Sequence, residues 1–237
     1  MPASSSARAR SLLAGTMLAA AIPARADLVA GRYAGLRLPR LVVLDLDQCV
    51  WSPEMYTLSD DCDRPVLGDL AGRGEGVVGV HSGMDMIRLF PGALSALQDC
   101  HDHLIPARDV RLAVASSADT PRAVAIGRQA MSMLEVLPGV TLLDVLRIGW
   151  GEQNDVNLKI GRTAPLSSDK SRTHFPLLAE GTGVPYSEML FFDDSLWSDH
   201  CEMVEGNCRG VVTMRTPKGL TTDKWMAGLE KFSTQGR

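Results

Sequence analysis

Short apolar runs that alternate with helix-like stretches are the feature that most constrains the fold of this 237-residue chain. Strands are predicted at Leu41–Leu44, 111–115, 140–148, 189–192 and 210–213. Continuous apolar strands that alternate with helices are typical of a parallel sheet covered by helices on both faces. The sequence therefore predicts a single α/β domain with a doubly wound, Rossmann-like parallel sheet.

Helices are predicted between these runs at 91–104, 120–134 and 169–183. The second has the clearest start, because Asp119 or Thr120 can cap its N-terminus and Pro121 takes the first helical position, where its missing N–H costs nothing. Gly181 and Gly183 are candidate stops for the third helix.

Two stretches interrupt the alternation, at 52–88 and at 149–168. Both are rich in residues that favour loops, and both leave from the carboxyl side of a predicted strand. This is the side on which an open α/β sheet forms its binding crevice. We expect the main domain to span 36–232, with an excursion at 52–88 and an irregular loop at 149–168.

The charge balance and the cysteines exclude several classes of protein. A net charge of −4 and a pI near 5.7 provide no basic surface for nucleic acid. The five cysteines are an odd number without a C-x-x-C pair, which argues against a disulfide scaffold and a structural zinc site. They are typical of a protein in a reducing compartment.

Residues 1–26 have the composition of a targeting peptide, with three arginines and neither acids nor lysine. An organellar transit peptide, for a chloroplast or mitochondrion, is favoured because the rest of the chain has the character of an intracellular protein. A secretory leader also fits and stays open. The apolar run at 12–22 is shorter than the roughly 20 residues of a membrane span, so none is predicted.

Paired acids follow two of the predicted strands. Asp45 and Asp47 come after the first strand, and Asp193 and Asp194 come after the strand at 189–192. Residues two apart in extended chain project to the same side, so both acids of the first pair can face one crevice. Repelling carboxylates gathered in this way require a cation, and an all-oxygen site suits Mg²⁺.

Two further polar groups are expected at the same edge of the sheet. Ser116 and Ser117 follow the second strand, and Lys170 lies near the start of the helix that leads to the last pair of acids. Lys159 is an alternative candidate for the cation. Each motif alone has an ordinary structural explanation, but their order and strand contexts together favour a catalytic site.

These motifs resemble those of the haloacid dehalogenase-like (HAD) superfamily, and within it the magnesium-dependent phosphatase 1 family. The resemblance is carried by "LVVLDLDQCV", "VASSADTP" and, most specifically, "THFPLLAEGTGVPYSEMLFFDD" at 173–194. It covers roughly 39–217 and implies a phosphatase with a cap-type insertion after the first strand. The length of the excursion at 52–88 favours a small hairpin-like flap over a folded cap domain.

The resemblance also implies a role for each residue. Asp45 is expected to attack phosphorus and form an aspartyl-phosphate, while Asp47 acts first as general acid and then as general base. Lys170, Ser116 and Ser117 are expected to bind the phosphoryl group. The implied ligands of Mg²⁺ are Asp45, the backbone carbonyl of Asp47, and either Asp193 or Asp194.

The expected substrates are phosphorylated small molecules or phosphoproteins, of phosphotyrosine or sugar-phosphate type. Cys49 and Ser117 depart from the Thr and Arg that are usual at these positions in relatives. These departures are the sole support for a catalytically silent metal- or phosphate-binding module, which stays open. A phosphotransferase of the same fold also stays open. A metal site at His101-x-His103 and a nucleophile at 199–201 are less favoured, and no motif indicates the oligomeric state.

Overall fold

The computed structural model describes residues 31–151 and 155–235. In chain order the strands are β1 Leu41–Leu44, β2 Trp51–Ser52, β3 Cys62–Asp69, β4 Glu75–Ser82, β5 Asp85–Leu89, β6 Arg111–Ser116, β7 Glu135–Leu137, β8 Val140–Thr141, β9 Leu158–Ile160, β10 Met189–Asp193 and β11 Val212–Arg215. The helices are α1 Pro91–Asp99, α2 Ile105–Arg108, α3 Pro121–Met133, α4 Leu142–Arg147, α5 His174–Thr182, α6 His200–Asn207 and α7 Thr222–Thr234.

A five-stranded parallel sheet, in the order β11-β10-β1-β6-β9, forms the centre of the molecule. From β1 the chain builds outward to β6 and β9, then returns to the other side of β1 for β10 and β11. The strand order therefore reverses between β1 and β10, and a crevice is expected at their carboxyl ends. The predicted doubly wound α/β fold is confirmed.

Both faces of the sheet are covered, because successive side chains of each strand point to opposite sides. Val42 and Leu44 pack into one core with residues of α1, α3, α4 and α7. Leu41 and Val43 pack into a second core with residues of α5 and α6. All four side chains of β1 are buried, which explains why this strand reads as a continuous apolar run.

The predicted strand at 140–148 is wrong, because the chain turns into α4 after the two residues of β8. A capping box starts this helix: Thr141 Oγ1 accepts a hydrogen bond from the Asp144 N–H, and the Asp144 carboxylate accepts one from the Thr141 N–H. Leu142, Val145 and Leu146 are buried at helical spacing. This spacing and the cap together indicate a helix.

One edge strand of the sheet, β9, lies inside the stretch predicted to be an irregular loop at 149–168. That prediction is wrong for 158–160, which pair in parallel with β6. Leu158 and Ile160 are buried against the sheet. A strand of three residues with a polar residue at its centre is too short for its periodicity to be recognised.

The helix bounds differ from those predicted at several ends. α3 agrees closely, with the Thr120 side chain accepting a hydrogen bond from the Ala123 N–H at 3.0 Å. The helix predicted at 169–183 begins only at His174, because Asp169 forms a turn in which its carboxylate accepts from the Ser171 N–H and hydroxyl. Gly183, at φ +66°, ends it.

The helix predicted at 91–104 leaves α geometry after Asp99 and continues as a π-helical turn, Cys100–Leu104.

The excursion at 52–88, called the flap below, consists mainly of β3, β4 and β5. These strands form an antiparallel sheet with β2 in the order β2-β5-β4-β3. Val80 and Ile87 are fully buried and join the core that contains α3. The predicted small flap after the first strand is confirmed, and its buried face fixes it to the main domain.

The packed structure begins before the predicted domain start at 36. Tyr33 is only 1% exposed; its hydroxyl donates to Asp99 Oδ2 at 2.7 Å and accepts from Trp225 Nε1 at 3.1 Å. The predicted leader at 1–26 lies outside the described residues, so it stays a prediction. Within the described part of the chain, no helix has the length and apolar character of a membrane span. All five cysteines are free thiols.

Candidate active site

The pairing register of β1 and β10 brings the two predicted acid pairs together. Leu44 lies beside Phe192, and the Asp45 N–H donates to the Phe192 carbonyl at 2.9 Å. The next residues along the two strands, Asp45 and Asp193, are therefore neighbours at the carboxyl edge of the sheet. Asp45 is 6% exposed and Asp193 is fully buried.

Lys170 connects these two buried carboxylates. Its Nζ lies 2.8 Å from Asp45 Oδ1 and 2.6 Å from Asp193 Oδ2. Burial alone lowers the pKa of a lysine, but the charges of Asp193 and Asp45 outweigh this effect and raise the pKa of Lys170. Lys159 lies on β9, where its charged neighbours are Asp155 and Glu180 instead. The structure thus brings Lys170, and not Lys159, to the acids.

Asp45, Asp193 and Asp194, called the acidic triad below, each place a carboxylate oxygen within 4.8 Å of the others. Within residues 31–151 and 155–235, no other group of histidine, cysteine and acid side chains comes this close. Burial, together with the charge of Asp193, raises the pKa of Asp194 to about 6. Lysine neutralises only part of this charge, so the hard oxygen donors of the triad fit a Mg²⁺ ion.

Asp47 is held by two hydrogen bonds from the segment that follows it. Its carboxylate accepts from Trp51 Nε1 at 2.8 Å and from the Met55 N–H at 3.0 Å. Burial raises the pKa of Asp47 to about 6, although both hydrogen bonds act in the opposite direction. A carboxyl group with this pKa can exchange a proton near neutral pH, as a general acid and base must.

A cavity of about 420 Å³ lies at this edge of the sheet. Six of the predicted site residues line it: Asp45, Asp47, Ser116, Ser117, Lys170 and Asp194. Ser116 ends β6 and is buried, while the Ser117 hydroxyl donates to the Ser168 carbonyl at 3.4 Å. Asp193 does not line the cavity; it is fully buried and accepts a hydrogen bond from Lys170, which does line it. The structure therefore brings the predicted residues together in one place, and their roles stay predictions.

The chain matches the acid phosphatase family over residues 37–235. It belongs to this family.

The chain is also similar to two individual proteins. Magnesium-dependent phosphatase 1 of Homo sapiens is 27% identical over 197 residues, which cover 83% of this chain and 89% of that protein. A solved structure of the N-terminal part of the protein BF1531 from Bacteroides fragilis, containing a phosphatase domain complexed with Mg, is 17% identical with a TM-score of 0.45. That match covers 88% of this chain but only 43% of the other. The predicted resemblance and the predicted class of enzyme, a phosphatase, are confirmed.

Several residues that line the cavity of this acid phosphatase family member were missed by the sequence prediction. They are Glu54, Tyr56, Asp119, Arg162, Trp197 and His200. Position 117 is serine where the resemblance implies arginine, but Arg162 lines the same cavity, with its guanidinium 3.0 Å from Asp119. All of these missed residues lie in loops or turns except His200, the first residue of α6, and no periodic pattern indicates which of these side chains meet.

The two less favoured histidine motifs have different outcomes. His101 pairs with Asp102 at 2.8 Å and takes no part in the acidic triad. His200, in the less favoured nucleophile motif at 199–201, lines the cavity, where burial and the nearby charge of Lys170 lower its pKa. Its neighbour Asp199 caps α6 by accepting from the Glu202 N–H at 3.0 Å. A helix-start pattern could have predicted this cap.

Proposed function

We propose that this phosphatase hydrolyses phosphomonoesters in a Mg²⁺-dependent reaction that passes through an aspartyl-phosphate on Asp45. The observation that carries the proposal is the buried ion pair of Lys170 with Asp45 and Asp193, next to Asp194, at the edge where β1 and β10 end. The similarity to a phosphatase named for its dependence on magnesium supports the choice of metal.

We assign metal binding to Asp45, Asp194 and the backbone carbonyl of Asp47. Asp193 is a weaker candidate, because Lys170 occupies its Oδ2 while the N–H and hydroxyl of Ser195 donate to its Oδ1. When bound there, Mg²⁺ supplies positive charge that neutralises the phosphoryl oxygens in the transition state. Asp193 then acts by holding Lys170 in place.

In the first step, a carboxylate oxygen of Asp45 attacks phosphorus and the ester P–O bond breaks. Asp47 gives its proton to the departing oxygen, so the alcohol leaves in neutral form. Lys170 fixes the orientation of the attacking carboxylate, and Ser116 offers a hydroxyl donor to the phosphoryl oxygens.

In the second step, the carboxylate of Asp47 takes a proton from a water molecule, whose oxygen attacks phosphorus. The bond between phosphorus and Asp45 breaks, which releases inorganic phosphate and restores both aspartates. The two hydrogen bonds from Trp51 and Met55 keep Asp47 in one position through both steps. The open cavity suits phosphotyrosine-type or sugar-phosphate substrates, either as small molecules or on proteins.

The proposal is tested by hydrolysis of p-nitrophenyl phosphate with the full chain, in Mg²⁺ and in EDTA. Activity should require the metal and disappear in Asp45→Asn, whereas Asp155→Asn, an exchange outside the cavity, should retain it. Turnover that survives in Asp45→Asn would show that another group is the nucleophile. A folded wild-type protein that binds Mg²⁺ without turnover would favour the silent binding module, and phosphorylated products formed with added alcohols would favour phosphotransfer.

A further inference from the structure

Two aromatic rings stand at the mouth of the cavity. Tyr56 and Trp197 both line it, with ring centroids 6.3 Å apart and planes inclined at 78°. Trp197 is 76% exposed and Tyr56 is 49% exposed, whereas Trp51 and Trp225 are at most 1% exposed. Large apolar side chains that are exposed to solvent beside a cavity commonly indicate a surface that binds a ligand.

Both rings are fixed relative to the proposed reacting groups. Tyr56 lies in the 3₁₀ turn Met55–Thr57, which is anchored where the Met55 N–H donates to Asp47. Trp197 lies on the loop after β10, and the first residue beyond the acid pair, Ser195, donates its N–H to Asp193 Oδ1 at 2.8 Å. The position of each ring is thus tied to a carboxylate of the site.

The orientation of the indole is also defined. Trp197 Nε1 donates to Glu54 Oε1 at 2.8 Å, and this bond connects the loop after β10 with the segment that leads into the flap. Apart from Ala118, the other side chains that line the cavity are polar, among them the ion pair of Arg162 and Asp119. The mouth therefore has one aromatic side, and the phosphoryl-binding groups lie deeper.

We propose that Tyr56 and Trp197 form a subsite for an aromatic leaving group, so that the enzyme prefers aryl phosphates to open-chain alkyl phosphates. This inference rests on the proposed function and assigns its leaving-group specificity to two residues. A ring esterified to the phosphate packs against the Trp197 indole in an offset-stacked or edge-on arrangement, which adds attraction beyond the area buried. An alkyl chain lacks this interaction.

The first test compares kcat/KM for phenyl phosphate and ethyl phosphate in the full chain with Mg²⁺. Trp197→Ala should lower kcat/KM for the aryl ester about tenfold and leave the alkyl ester within about twofold. Trp197→Phe, which keeps a ring but loses the bond to Glu54, should retain most of the preference. Met84→Ala provides the matched control, because Met84 is 95% exposed in the turn between β4 and β5 and does not line the cavity.

A binding measurement separates this inference from the proposed reaction. Benzylphosphonate and propylphosphonate replace the ester oxygens of the two substrates by CH₂ and cannot be hydrolysed. Calorimetry in Mg²⁺ should show that Trp197→Ala weakens binding of the benzyl compound about tenfold and of the propyl compound little. Equal losses for both compounds, or no loss for either, would overturn the subsite whether or not the wild type turns over. Preferential loss of benzyl binding in a protein without turnover would uphold the subsite and refute the hydrolase.

Discussion

Acidification should destabilise this protein through one buried histidine, His174. The ring is fully buried, and its Nε2 lies 3.1 Å from the carbonyl oxygens of Ser116 and Gly161. Nε2 therefore donates to these carbonyls, while Nδ1 accepts from the Thr173 hydroxyl at 3.2 Å. Burial and the charge of Lys170 lower the pKa of His174 to about 4, so the folded protein holds the neutral ring.

The magnitude follows from the two protonation equilibria. The pKa is about 6.5 in the unfolded chain and about 4 in the folded one, so between these values the unfolded state binds more protons. The stabilisation is therefore fully present above about pH 6.5 and is lost as the pH falls towards 4. The loss from His174 is about 2 kcal/mol between pH 7.5 and pH 5, and about 3 kcal/mol below pH 4.

The assay is urea unfolding of the wild type and of His174→Gln at a series of pH values from 7.5 to 5. Glutamine can still donate an N–H towards the two carbonyls but does not titrate, and the other groups titrate in both proteins. The stability difference between wild type and variant should shrink by about 2 kcal/mol over this range. A difference that stays constant with pH would refute the assignment of a neutral, buried ring.

Three further predictions concern other parts of the fold. Lys170→Met should destabilise the protein by about 3–5 kcal/mol and abolish hydrolysis, because two buried carboxylates lose their cation. Lys159→Met should retain activity. Urea unfolding and turnover assays check both variants. Trp51→Phe removes a hydrogen bond to Asp47, the proposed general acid, and should lower kcat about tenfold or more. Trp225→Phe loses a buried indole bond at a residue that does not line the cavity and should change stability alone. Thr141→Ala removes the cap of α4 and should cost about 1 kcal/mol in urea unfolding; an unchanged midpoint would argue against the cap.

The sequence predicts a strand or helix correctly where its pattern of apolar residues matches the way the element is buried in the fold. β1 and β10 are buried on both faces, so every residue in them is apolar until the acids at their ends. β9 could not be found in this way, since it has three residues and a lysine at its centre. The segment 140–148 is apolar enough for a buried strand, and the helix is indicated only by the cap at Thr141 and the helical spacing of Leu142, Val145 and Leu146.

The residues of the site also differ in whether the sequence predicts them. Residues placed directly at strand ends, such as Asp45 and Ser116, were predicted because parallel strands deliver their carboxyl ends to one edge. Tyr56 and Trp197 were not, because their contact depends on how two distant loops fold back over the cavity. No sequence motif indicates a role for Trp51. The structure shows its indole N–H bonded to Asp47, four residues earlier.

The hydrogen bonds of Tyr33 limit how the N-terminus can be processed. Trp225 donates to the Tyr33 hydroxyl, which donates to Asp99, and the neighbouring Arg32 also donates to this carboxylate. A protease that cut beyond Tyr33 would leave a buried acid and a buried indole N–H without these partners, at a cost comparable to a severe core mutation. Any leader ending near residue 26 is therefore separated by only a short segment from residues that the folded domain needs. If the predicted leader is removed, a cut that went past Tyr33 would therefore lower the stability of the folded domain.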